Sequence, residues 1–122
     1  MKQIHNVVIA YAAEGAILGY RIVAHGEESG GVKQATAVTD KLLGVTTRMP
    51  KDPGEHTDVV RSGLTPVVYG DTLKRGDFVT TDNQGRAVKA TNQQMYVGTA
   101  EEDGEADDIG SIFVTFGTFA SA

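Results

Sequence analysis

Apolar positions in this chain come in short runs that break off at glycine, proline or paired acidic residues. Ser111–Phe116 alternates most clearly, placing Ile112, Val114 and Phe116 on one face of a strand. Met95–Ala100 and Leu42–Thr46 read as further strands, with Gly44 marking a bulge or a close backbone approach. Tyr20–Ala24, the alternating stretch Val32–Thr39 and the short run Asp58–Arg61 complete that set. Val7–Tyr11 reads as a strand or an extended docking segment, and Ala12–Ala16 as a turn of helix limited by Gly15 and Gly19. No segment sustains a helical period, and strands spaced about 8–12 residues apart indicate an all-β sandwich or barrel.

The densest signal lies between Leu64 and Ala90. Val67-Val68-Tyr69 stops at Gly70-Asp71, Gly76-Asp77 launches Phe78–Thr81, and Asp82-Asn83-Gln84-Gly85 reverses the chain into Arg86-Ala87-Val88. Glycine supplies the positive φ of a sharp bend, and Asp or Asn bonds the backbone two residues on. Gly70, Asp71, Gly76, Asp77, Asp82 and Gly85 are therefore expected to be structural turn residues. Gly44-Val45-Thr46 and Val97-Gly98-Thr99 are loosely alike, and we do not read them as a repeat.

Composition narrows the partners. The 122 residues fit one domain with a modest core, and the lack of Trp makes that core aliphatic. Without Cys there is neither a disulfide nor a thiolate metal site, which fits a reducing compartment. A net charge of −5 with no basic cluster argues against nucleic acid, whose phosphates demand Lys and Arg. Val7–Val23 is interrupted by Glu14 and Arg21, so neither a membrane span nor a signal segment is expected.

Candidate chemistry is thin. His5, His25 and His56 stand in separate polar stretches without metal-site spacing, and solvent-facing histidines are the simpler reading. Ser62 or Ser111 with a histidine lacks a nucleophile-elbow motif, and a Ser62–Lys74 dyad has no further support. Glu101–Asp108 carries hard ligands for Ca²⁺ but not the EF-hand spacing, and reads as a solvated loop. Arg75-Gly76-Asp77 spells an adhesion tripeptide inside a turn that already needs Gly and Asp. The hairpin tip Asn83-Gln84 lacks the lysine of a biotinyl or lipoyl carrier, Lys89 lying further along. No catalytic, cofactor or metal residue is assigned.

The order of these signals resembles one family. Glu14 and Ala16-Ile17 lead into Gly19–Val23, followed by Asp40–Thr46, Glu55–Gly63, Val67–Asp71, Lys74–Asp82, Gly85–Val88 and Val97–Ala100 with a last strand. Over roughly residues 7–116 this is similar to the capsid cement, or head decoration, proteins of tailed bacteriophages. The resemblance implies a small β-clip-like or β-barrel-like domain without enzymatic activity or cofactor. It implies a virion protein, made in the host bacterial cytoplasm, that sits on the outer capsid surface, binds major capsid protein and self-associates, a trimer being favoured and a dimer possible.

On that basis residues 1–13 are expected to form an N-terminal arm and residues 14–122 a single β domain. Ile4, Val7, Val8, Ile9 and Tyr11 would dock the arm by adding a strand to a capsid sheet edge; the competing reading makes this segment the first strand of the domain's own core. Ala12, Ala13, Ala16 and Gly19 would permit close subunit packing. A small ligand- or carbohydrate-binding module is the alternative function, and it would need clustered aromatics in a cleft.

Overall fold

Ile22-Val23-Ala24 and Leu42–Thr46 lack the alternation of a half-exposed strand because both of their faces are covered. The structure, a computed structural model, describes residues 6–91 and 93–119. Nine strands run through them: β1 Val7–Ala13, β2 Ile22–His25, β3 Gly31–Gln34, β4 Leu42–Thr46, β5 His56–Val68, β6 Phe78–Thr81, β7 Ala87–Lys89, β8 Met95–Ala100 and β9 Ile109–Thr118. No helix occurs among the described residues, and the all-β expectation holds.

β5 carries the architecture. Its first half pairs with β4 and, along its other edge, with β1, so that β1-β3-β2-β4-β5 closes into a five-stranded barrel. Each of those strands sends one side chain inward: Ala13, Val23, Val32, Leu43 and Val59, with Ile17 from the β1–β2 connection filling the remaining space. At Gly63, whose φ of 111° suits only glycine, β5 changes partner and pairs with β9 instead. Beyond it the order runs β5-β9-β8-β6-β7, and a parallel bridge from Tyr69 to Ala87 brings the far strand back to the end of β5.

The second assembly repeats the first. The β2–β3 hairpin pairs Val23 with Gln34 and His25 with Val32; the β6–β7 hairpin pairs Val79 with Lys89 and Thr81 with Ala87. Gly44 pairs with Val23 as Gly98 pairs with Val79, and the next residue, Val45, pairs with Val60 as Thr99 pairs with Phe113. The Val8–Val60 to Ala12–His56 ladder recurs as Leu64–Phe113 to Val68–Ile109. The connections match too: Ile17 bridges Lys51 in the first half, Leu73 bridges Gly104 in the second, each through two reciprocal backbone hydrogen bonds. The interior of the second half is the counterpart set Tyr69, Leu73, Val79, Ala87, Val97 and Ile112. The likeness between Gly44-Val45-Thr46 and Val97-Gly98-Thr99 is thus part of a tandem structural duplication, which corrects the sequence reading.

The two halves do not sit side by side as equals. The outer face of the first barrel, Ile22, Ala24, Leu42, Val45 and Val60, joins the interior cluster of the second. β2 and β4 therefore separate two cores, which is why they are apolar on both faces.

Two further boundaries differ from expectation. β5 spans 13 residues rather than Asp58–Arg61, because Gly63 twists the strand without ending it and Pro66 falls where no donor is needed. Leu64 N–H and C=O are bonded to the Asn6 side chain and Val68 N–H to Tyr20 O, so this alternation faces away from β9, and the absent Pro66 N–H costs no ladder bond. Ala12–Ala16 forms no helical turn, because β1 runs through Ala13 and Ala12 N–H bonds Gly30 O.

Candidate functional site

Gly76 and Gly85 have φ of 89° and 73°, Asp77 accepts from Lys74 N–H at 3.0 Å, and Asp71 accepts from Thr72 N–H at 2.8 Å. Asp82 accepts from Gln84 N–H and Arg86 N–H, each at 2.9 Å, and from the Arg86 guanidinium at 2.7 Å. Gly70 is needed beside it, since a Cβ there would stand 2.6 Å from the Asp82 carboxylate.

The first half solves the same problem with the roles exchanged. Glu14, at the position equivalent to Gly70, sends its carboxylate across to accept from Glu27 N–H at 2.7 Å and Glu28 N–H at 2.8 Å. Gly26, equivalent to Asp82, leaves room for it: a Cβ on Gly26 would lie 2.3 Å from the Glu14 carboxyl carbon. Those backbone bonds hold the Glu14 carboxyl below its ordinary pKa of 4.5. A depressed carboxyl stabilises the fold above its unfolded-state pKa, and that contribution disappears as pH falls through the folded-state value. Glu14→Gln is expected to melt below wild type at neutral pH, with the gap constant above about pH 5 and closing on acidification below 4.5. Thermal melts of both proteins across that range check it; a gap independent of pH would show that the carboxylate charge is not what caps the turn.

Nothing among the described residues assembles a reaction centre. No group of three or more His, Asp or Glu is placed to hold a metal, and no enclosed pocket opens into the fold. His56 pairs with Asp58 at 2.9 Å on the surface, and among the described residues neither His25 nor His56 is hydrogen-bonded to Ser62 or Ser111. Ser62 lies on β5 opposite Val7, whereas Lys74 lies in the β5–β6 connection, where Asp77 accepts from its backbone N–H. The acidic loop 101–108 spends four of its six carboxylates internally: Asp103 accepts from Arg75 N–H, Glu105 from Thr72 Oγ1, Asp107 from Arg86 and Asp108 from Glu105 N–H. The aromatics form no cleft; Phe78, Tyr96 and Phe119 stack in one patch on the wall of the second half.

What the fold offers to a partner is surface, and β1 offers the most. Val7, Val8 and Ile9 are 50%, 48% and 42% exposed, three adjacent large apolar residues turned to water. The stretch read as an arm is in fact a sheet strand from Val7 onwards, because its β-branched residues find a ladder along the unexpectedly long β5. Ile4 lies outside the described residues. Tyr11 is half-buried and its hydroxyl accepts from Arg61 at the open end of the first barrel.

The outer edge of β1 is also open. Ala12 N–H points at β3 and Ala13 N–H at Glu55 O next to β5, so by alternation Val8 and Ala10 direct their backbone groups away from β5. β3 pairs only with Ala12 and Ala13, leaving that edge without a partner strand among the described residues. In the second half the corresponding edge is blocked by the Asn6 side chain, by Pro66 and by Tyr20. The small residues expected to pack subunits are partly used up within the chain: Ala13 is inside the barrel, and a Cβ on Gly19 would stand 2.1 Å from Arg48 O.

The comparisons place this architecture. No curated protein matches the chain. Among solved structures, the N base of head fiber gp8.5 of bacteriophage phi29 is similar, with a TM-score of 0.70 and 20% identity over 91% of this chain and 95% of that one, a likeness of fold. The profile described as phage cement protein matches residues 2–116, nearly the whole sequence, and with it the chain belongs to the phage cement protein family and is a phage structural protein.

Proposed function

We infer that the protein binds the outer surface of a phage head and stabilises the shell by bridging neighbouring major capsid protein subunits, without catalysis or cofactor. It is made in the host cytoplasm and joins the capsid from outside. The observation that carries this reading is the open, apolar edge of β1: a strand of the capsid protein can add to Val8 and Ala10 by main-chain bonds while Val7, Val8 and Ile9 bury apolar surface. Each junction needs little, since attachment at many lattice points sums modest contacts of even roughly 5 kcal/mol into a large gain for the shell. The protein acts as an oligomer, a trimer being the favoured state.

Purified protein is expected to sediment saturably with empty expanded heads of the matched phage and to raise the temperature at which they disrupt. Ala10→Pro is the informative variant, because the second half already carries Pro66 at the equivalent position of the equivalent strand. It should fold normally, lose an outward N–H and bind heads at least about 10-fold more weakly. Full-strength binding by a folded Ala10→Pro protein would remove strand addition, and absence of binding by wild type would remove the cement role.

A further inference from the structure

The junction between the two halves joins unlike surfaces. The first half contributes the outer face of its barrel, with Ile22, Val45 and Val60; the second contributes one end of its barrel, with Thr65, Val67 and Val114. All six are buried. Because the halves are repeats, each of these surfaces occurs twice in the chain, and one copy of each is left unmatched.

The unmatched outer face belongs to the second half. Phe78, Thr99 and Phe113 there correspond to Ile22, Val45 and Val60. Phe113 is 44% exposed where Val60 is 5%. The unmatched barrel end belongs to the first half: Ile9, Tyr11 and Arg61 correspond to Thr65, Val67 and Val114. Ile9 is 42% exposed where Thr65 is 4%. Freed from the junction, these positions still hold two phenylalanines, an isoleucine and a tyrosine, where water-facing strand positions would ordinarily be polar. Phe119 covers part of Phe78, with ring centroids 5.6 Å apart, and leaves Phe113 in the open.

The geometry points to a second copy of this chain as the occupant, docked head to tail: the Phe78–Thr99–Phe113 face of one copy covers the Ile9–Tyr11–Arg61 end of the next, repeating between chains the junction that each chain contains within itself. The contact is heterologous, so association continues until a ring closes or a filament forms. Ile9 takes part in both contacts, but strand addition to a capsid needs the outward main-chain groups of Val8 and Ala10, which this contact does not use, so Ala10→Pro separates the two modes of binding.

Sedimentation velocity over a dilution series tests this with wild type, Phe113→Glu and Ile9→Glu, both positions being exposed enough for the variants to fold, as circular dichroism will check. Wild type is expected to associate with concentration. Each variant should raise the apparent dissociation constant at least about 10-fold, the effect of charging an apolar anchor. An equimolar mixture should recover one species, a heterodimer, because one variant retains the intact end and the other the intact face. Ala10→Pro should associate as wild type does, which keeps this result independent of head binding. A wild type that stays monomeric at every concentration, a variant that associates undiminished or a mixture that fails to pair would each overturn the proposal.

Discussion

Tyr69→Ala is expected to lower the unfolding free energy by about 3–5 kcal/mol, the range for emptying an aromatic site in a packed core. Tyr69 is the largest fully buried side chain and stands where the first barrel has only Ala13. Its ring fits because the residues around it are glycines: a Cβ on Gly104 or Gly110 would lie 2.8 or 2.4 Å from ring atoms. The first half has Lys51 and Thr57 at those places, and its interior is completed by the smaller set around Val32, where the second half has Ala87. The same barrel is thus filled twice with different distributions of volume. The hydroxyl reaches Glu102 O at 2.9 Å and Ser111 O at 3.3 Å, tying the acidic loop to β9. Tyr69→Phe keeps the ring and should cost about 1 kcal/mol, the net worth of a buried hydrogen bond. Urea denaturation of the two variants separates packing from hydrogen bonding; equal losses would mean that the hydroxyl rather than the ring holds the second half together.

This distribution of volume also explains what the sequence concealed. The strands β4, β6, β8 and β9 were legible from β-branched runs between turn residues, and Gly44 announced a close approach. The duplication was not. Val23 corresponds to Val79, Val32 to Ala87, Gly44 to Gly98 and Val60 to Phe113, and the offset between equivalents falls by one residue at each of those steps. The side chains meanwhile changed in compensating pairs, Glu14 with Gly26 against Gly70 with Asp82, so position-by-position likeness vanished while the geometry persisted. Pairing is the other hidden layer. Exposed Val7, Val8 and Ile9 look like a free docking segment, since no local pattern reveals that β5 continues through Gly63 and Pro66 and offers β1 a ladder. For the same reason the unmatched face and end of the two barrels could be recognised only once their buried counterparts were seen.

Gly44→Ala is expected to be more damaging than its equivalent, Gly98→Ala. In both places the chain passes so close to a neighbouring strand that a Cβ would meet a backbone carbonyl: Val60 O at 2.2 Å for Gly44 and Phe113 O at 2.4 Å for Gly98. Neither carbonyl belongs to a flexible side chain that could swing aside, so the strands must part. Such overpacking costs about 1–3 kcal/mol, occasionally more. For Gly98 the displacement falls on the wall of the second half, where Tyr96 and Thr99 are partly exposed and adjacent structure can yield towards solvent. For Gly44 there is no such side. Every residue of β4 is buried; Leu43 faces the first core, Leu42 and Val45 face the second, and moving the strand opens both at once. Gly44→Ala should therefore lie at or above the top of that range and Gly98→Ala within it, with the denaturant slope unchanged in both if the fold is kept. Equal losses would show that the junction between the halves relaxes independently of the barrels it joins. A larger loss for Gly44→Ala would establish β4 as the shared wall on which both repeats depend.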